Sequence, residues 1–168
     1  RVQRVGINLG APGDRLAENG TLWLDHPSVG GESPGIPVIV TGTGQEYFQD
    51  HTMMYRGTLP WVGASGVTGF DQVMVSLSSN QEVRSSYELS LYFAEPNAAA
   101  QPGERLFDVS IGNRALLKDF DVCREAGGSR RVIVRRFREV QLDRDLSIDF
   151  RARKGRSLLC GLELVMEP

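Results

Sequence analysis

The chain predicts an all-β fold, a two-sheet antiparallel β-sandwich or jelly roll. Three observations carry this. The stretch YELSLYFAEP, residues 87–96, alternates: Tyr87, Leu89, Leu91 and Phe93 point one way, Glu88, Ser90, Tyr92 and Ala94 the other. A period of two is that of a half-buried strand. Similar segments recur, with turn signals roughly every 8 to 15 residues. Nineteen glycines and eight prolines supply the turns.

Taken in order, RVGINLG (4–10) opens the chain and TLWLD (21–25) follows the turn material AENG. IPVIVTG (36–42), EYFQDHTMMY (46–55) and DQVMVSL (71–77) read as strands, the last after a glycine-rich link. YELSLYFAE (87–95), RLFDVSIGN (105–113) and RALLKDFDV (114–122) form the middle. In IGNRAL, Gly112-Asn113 between apolar runs predicts a tight hairpin with positive φ. LLKDFDVCREAGG reads as strand then loop rather than a helix ended by Gly127 and Gly128. Leu117, Phe120 and Arg124 make no consistent apolar stripe. RRVIVRRFREVQL (130–142), DLSIDFRA (145–152) and SLLCGLELVME (157–167) complete the chain, with LDRDL and ARKGRSL as reversals. These last three strands are expected to form a meander. Residues 27–37, PSVGGESPGIP, are the most loop-like stretch.

At 168 residues, 1–168 suits a single domain with a sizeable core. The start at Arg1, without methionine, is read as a domain excised from a larger multidomain protein or a processed product. A net charge of -2 argues against nucleic-acid binding by the whole surface. No apolar run approaches the ~20 residues of a membrane span, so no membrane insertion is expected. Cys123 and Cys160 with His26 and His51 show no metal-ligand spacing. The two cysteines are read as unlinked thiols, with a disulfide as the alternative.

Apparent catalytic motifs fail on their spacing. GASG (63–66) puts Ser65 near a nucleophile elbow, but Val67 stands where glycine is required. GTGQEY lacks the third glycine of a dinucleotide loop. The carboxylate pairs Asp119/Asp121 and Asp143/Asp145 are read as solvated or bonded to backbone rather than a glycosidase pair. No cofactor is expected, a structural calcium on one of these clusters being the alternative.

Six arginines (124, 130, 131, 135, 136, 138) lie within fifteen residues. They read as the positive side chains of an edge strand, or as a patch for a phosphate, acidic sugar or acidic partner. Aromatics beside short polar groups occur, in surroundings read as loop-rich, in TLWLDHP (Trp23, Asp25, His26) and MMYRGTLPWVGASG (Tyr55, Arg56, Trp61, Ser65). Sugar rings offer C–H faces rimmed by hydroxyls, so this mixture suits a carbohydrate site. Core plugs are the competing role for Trp23 and Trp61.

Together these stretches resemble a malectin-type domain, one of the galactose-binding-like β-sandwiches. The family's hydrophobic-Phe-Ala-Glu signature is matched by Leu91 to Glu95, and its Arg-x-Phe-Asp-Val strand by Arg105 to Val109. Its Val-Leu-x-Asp-x-Asp strand is matched around Leu116 to Val122. Near the N-terminus, GINLGAPGD and WLDHP are similar to its Asn-Ala-Gly-Gly and Asp-Pro segments, with Leu9 and Ala11 departing. NGTLWLDHPSVGGESP also resembles C-terminal domains of large bacterial multidomain proteins. The resemblance implies a non-catalytic carbohydrate-binding module, a lectin rather than an enzyme, in an extracytoplasmic setting. It makes Tyr55 the counterpart of a glucose-contacting tyrosine. The aromatic pair after the signature is absent, replaced by Pro96, Asn97 and Ala98. The sugar-contacting aspartate is also absent, with Lys154, Arg156 and Ser157 in KGRSLL. Diglucose specificity is therefore not implied.

The expected ligand is a glycan or oligosaccharide, held by Tyr55, Trp61, Arg56, Trp23, Asp25, His26 and Tyr92. Glu95 is expected to fasten its strand end to Arg105. The alternative is a structural or protein-interaction domain packing on neighbouring domains of its parent chain.

Overall fold

The computed structural model describes residues 1–30, 35–77 and 84–168. Its strands are β1 (Arg4–Leu9), β2 (Arg15–Leu16), β3 (Leu22–His26), β4 (Val38–Thr41), β5 (Glu46–Gln49), β6 (Arg56–Gly57), β7 (Ser65–Thr68) and β8 (Gln72–Ser76). They continue with β9 (Ser85–Phe93), β10 (Leu106–Ile111), β11 (Arg114–Phe120), β12 (Arg131–Leu142), β13 (Asp145–Lys154), β14 (Leu158–Leu159) and β15 (Gly161–Met166). Two short helices, α1 (Pro60–Gly63) and α2 (Val122–Ala126), interrupt them.

A seven-stranded sheet runs β2-β3-β1-β15-β9-β12-β6 and a five-stranded sheet β11-β10-β13-β8-β4. A small third sheet runs β14-β7-β5. The two large sheets form the expected sandwich. Ile7, Leu89, Leu91, Phe93, Leu162 and Leu164 belong to the same core as Val73, Val75, Phe107, Val109, Leu146 and Ile148. Fully burying one such side chain contributes about 1.5–3 kcal/mol. The pairing is antiparallel except for β1 with β3 and β6 with β12, which run parallel.

Four sequence expectations are corrected. The last three long strands do not form a meander: β12 pairs with β9, β13 with β10 and β8, and β15 with β1 and β9. Each reversal carries the chain across to the other sheet, which face alternation alone cannot reveal. After β11, Asp121 caps α2 by accepting from Arg124 N at 3.0 Å, and Gly127 (φ 76) ends it. A capped turn therefore replaces the expected loop, because capping rather than an apolar stripe stabilises so short a helix. EYFQDHTMMY is strand only over β5, then a 3-10 turn at Thr52–Met54 capped by His51. The stretch read as loop-rich, 53–66, holds β6, α1 and the start of β7.

The β10–β11 hairpin turns at Gly112 (φ 54), as its sequence predicts. Ser65 lies within β7, donating to Asn8 Oδ1 at 3.1 Å, a structural bond and no nucleophile elbow. Cys123 and Cys160 are both free and buried. Burial pushes the Cys160 thiol up to about 12 and raises that of Cys123, so both stay protonated at neutral pH. Part of the 27–37 stretch lies outside the described residues.

Candidate functional site

The outer face of the seven-stranded sheet carries a second apolar cluster: Ala17, Trp23, Tyr55, Val62, Ala64, Tyr92, Ala94, Val132 and Cys160. This overturns the reading of Tyr92 as an aromatic on a polar face. Its residue is 3% exposed, because α1 and the 52–59 segment cover that end of the sheet. Both faces of YELSLYFAEP are buried from Leu89 onward.

Register explains the shape of this face. Arg15 pairs with Trp23, Trp23 with Gly6, Gly6 with Glu163, Glu163 with Ser90 and Ser90 with Arg136. These six residues form one row across six strands, and side chains directly opposite one another share a face. Gly6 and Ser90 are small, so the middle of the row is low while its ends carry long arginines. A Cβ on Gly6 would come within 2.2 Å of Trp23 Cδ2, so only glycine lets the indole lie over β1. The result is a groove of about 480 Å³, walled by Arg15, Thr58, Trp61, Tyr92, Arg136 and Glu163 among others.

The aromatics interlock beneath it. Trp23 meets Trp61 edge-on at 5.9 Å and Tyr92 edge-on at 5.1 Å. The Arg15 guanidinium lies 4.5 Å over the Trp61 ring, within cation–π range. Leu59, in left-handed backbone (φ 48), turns the chain into α1 and so aims Trp61 across the sheet. Glu163, 8% exposed, accepts from Thr21 Oγ1 at 2.5 Å and from Asn19 Nδ2 at 3.5 Å. Burial first, then the neighbouring Glu163, push the Tyr92 phenol up to about 12, with Arg136 opposing. The phenol is therefore a protonated donor at neutral pH.

Of the seven residues singled out from the sequence, the structure brings Trp61 and Tyr92 to this groove with Trp23 beneath them. The other four do not line it. Tyr55 is buried and donates to Asp50 at 2.5 Å; burial and that bond raise its pKa. Asp25 is buried and accepts from Val29 N at 3.0 Å, closing the turn after β3. His26 faces Tyr47 at 6.3 Å, and burial lowers its pKa against the pull of Asp25. Arg56 lines a different cavity. Arg15 and Glu163 are not among the sequence candidates, and Arg136 is there only as one of the arginine cluster. What brings the three together is the row through Gly6 and Ser90, which acquires meaning once strand order is known.

Among the described residues no group of three or more His, Cys, Asp or Glu could hold a metal ion. No described helix is long and apolar enough to cross a membrane.

The malectin domain sequence model matches residues 77–166, more than half of the chain. The chain belongs to the malectin family. No curated protein sequence matches it. Among solved structures it is similar to a Bacteroides uniformis beta-glucuronidase, at 16% identity and a TM-score of 0.72, over 98% of this chain and 18% of that one. The ANX1 ectodomain from Arabidopsis thaliana aligns at 14% identity and a TM-score of 0.69, over 99% and 42%. A plant complex of the peptide RALF23 with FER and LLG2 aligns at 16% identity and a TM-score of 0.68, over 98% and 48%. This malectin-family chain thus spans less than half the length of each of these chains.

Proposed function

We propose that this malectin-family domain is a non-catalytic carbohydrate-binding module of a larger extracytoplasmic protein. The groove over Trp61 and Tyr92 is its glycan site. The observation that carries the reading is the row Arg15–Trp23–Gly6–Glu163–Ser90–Arg136. It sets an aromatic floor between hydrogen-bonding groups of both kinds. Trp61 supplies an apolar surface for the C–H face of a sugar ring. Arg15, Arg136 and the Tyr92 hydroxyl supply donors, and Glu163 an acceptor, for the hydroxyl rim. A protein site of this type joins apolar wall to a few placed polar groups.

Two features support binding without catalysis. Glu163 is held by Thr21 and Asn19, which fixes it as an acceptor. Of the acids read from sequence against a hydrolase pair, Asp119 is exposed, and Asp121 serves the backbone elsewhere: it caps α2 and accepts from Gly103 N at 2.7 Å.

A glycan array probed with the wild type, Trp61→Ala and Arg136→Gln tests the proposal. Expected are one glycan class bound by the wild type and loss of at least tenfold in affinity in both variants, with unchanged far-UV circular dichroism. Binding undisturbed by either change would move the site away from this groove. No binding to any glycan would favour a structural or protein-interaction role, for which the outer edge of β12 is available: beyond Val132 it pairs on one side only.

A further inference from the structure

The arginine cluster of the sequence divides in three. Arg124, Arg135 and Arg138 are matched to acids: Asp121 at 3.7 Å, Glu125 at 3.0 Å, and Glu88 and Glu167 at 3.7 and 3.5 Å. Arg136 faces the groove over Trp61. Arg130 and Arg131 go elsewhere. With Arg56, Met54, Ala98 and Ser129 they line a separate open cavity of about 460 Å³.

Three guanidinium groups around one cavity, with no carboxylate to neutralise them, need an explanation. None of Arg56, Arg130 and Arg131 forms an ion pair among the described residues. Arg56 and Arg131 are moreover registered directly opposite each other in the parallel β6–β12 pair. Like charges facing one another across a strand pair oppose folding. Arg130 adds two further observations. Its backbone is left-handed (φ 56), a conformation L residues seldom adopt, and its Nε is buried without a hydrogen-bond partner among the described residues. Strain kept at one position together with an unmet donor is a mark of a functional site. The strain is locked in from both sides: Arg130 N donates to Glu95 O at 2.8 Å, and Arg56 N donates to Arg130 O at 3.1 Å. The three arginines are thus carried on a braced piece of backbone joining the Phe-Ala-Glu strand end to β6.

We propose that this cavity binds a tetrahedral oxyanion, a sulfate or phosphate ester carried on a saccharide. Arginine forks match such an anion in pairs of hydrogen bonds, and three of them outweigh the single charge of a sulfate monoester or the two charges of a phosphate monoester. The Ser129 hydroxyl and the apolar side chains of Met54 and Ala98 provide room for the ring that bears the ester. The proposal does not depend on the groove over Trp61, which shares none of these residues.

The test uses the wild type, an Arg56→Gln/Arg131→Gln double variant, and Arg56→Lys. Melting temperatures are taken in sodium sulfate, sodium phosphate and sodium chloride at matched ionic strength. Sulfate and phosphate stabilise most proteins generally, so only the difference between proteins counts. The wild type is expected to gain several degrees more than the double variant in sulfate or phosphate. In chloride the double variant is expected to melt no lower than the wild type, since a repulsion has been removed. Calorimetric titration with glucose 6-sulfate, glucose 6-phosphate and glucose then separates the two esters from each other and from the bare sugar. At least one ester should bind tenfold or more tightly than glucose. The double variant should lose that margin, and Arg56→Lys should recover only part of it. Equal anion-induced shifts in wild type and double variant, or equal affinity for the esters and glucose, would overturn the proposal.

Discussion

Glu95 accepts two hydrogen bonds from the Arg105 guanidinium, Nε to Oε1 at 2.7 Å and Nη2 to Oε2 at 3.3 Å. The side chains are 2% and 18% exposed. Glu95 also accepts from Asn97 N at 3.1 Å, and Arg105 donates to Arg156 O at 2.8 Å. The pair therefore ties the end of β9 to the chain before β10 and before β14. Removing one partner of a buried pair costs about 3–5 kcal/mol, because the other is left uncompensated. For a chain this long that corresponds to about 6–20 °C in melting temperature. Glu95→Ala is expected to show a loss of this size by differential scanning calorimetry. Glycan binding over Trp61, measured well below the melting point, should be retained.

Gly6 links the scaffold to the groove. Its missing Cβ is what admits Trp23, whose Cδ2 would lie 2.2 Å away. Gly6→Ala must push the indole out or part β1 from β3, and overpacking of this kind costs about 1–3 kcal/mol. The expected outcome is a lower melting temperature with altered near-ultraviolet circular dichroism, since Trp23 bears on both Trp61 and Tyr92. Gly13→Ala, where a Cβ would meet nothing within 4 Å, should change neither.

Asp108 makes stability depend on acid pH. Its carboxylate accepts from Asp119 N and from Arg153 Nε, both at 2.8 Å. The Asp119 backbone bond, then Arg153, hold its pKa below the ordinary 3.8. The folded state thus resists protonation more than the unfolded chain does. The stabilisation is fully present above 3.8 and disappears as pH falls through the lower folded value. Urea unfolding followed from neutral pH into acid should show the wild type losing this increment below the ordinary carboxylate range. Asp108→Asn should lose stability at neutral pH and show a shallower acid limb.

The main sandwich was legible because burial on one face imposes alternation, and Leu89, Leu91 and Phe93 obey it. The Glu95–Arg105 pair was legible through the resemblance, which placed both residues at adjoining strand ends. The groove was not. Tyr92 alternates with core residues and so reads as solvent-facing, yet α1 and the 52–59 segment fold back over it. That cover depends on contacts distant in sequence, such as Gly63 against Val132. The row that shapes the groove is likewise built from six strands whose lateral order is not written in any of them. The arginine cluster showed its charge in sequence. Only pairing in three dimensions separates neutralised Arg124, Arg135 and Arg138 from Arg130 and Arg131.

Tyr92 offers the sharpest separation of site from scaffold. Its ring packs edge-on against Trp23, whereas its hydroxyl makes no hydrogen bond among the described residues and belongs to the groove wall. Tyr92→Phe keeps the packing and deletes only the donor. Stability should therefore stay within about 1 kcal/mol of wild type, as no internal hydrogen bond is broken. Affinity for the glycan held by the wild type should fall about two- to twelvefold, the worth of one neutral hydrogen bond of about 0.5–1.5 kcal/mol. Because the phenol titrates at about 12, wild-type binding through this hydroxyl should not vary between neutral and mildly alkaline pH. Isothermal titration of both proteins with the same glycan decides the matter. A Tyr92→Phe protein that binds the glycan unchanged would leave the residue a packing role alone.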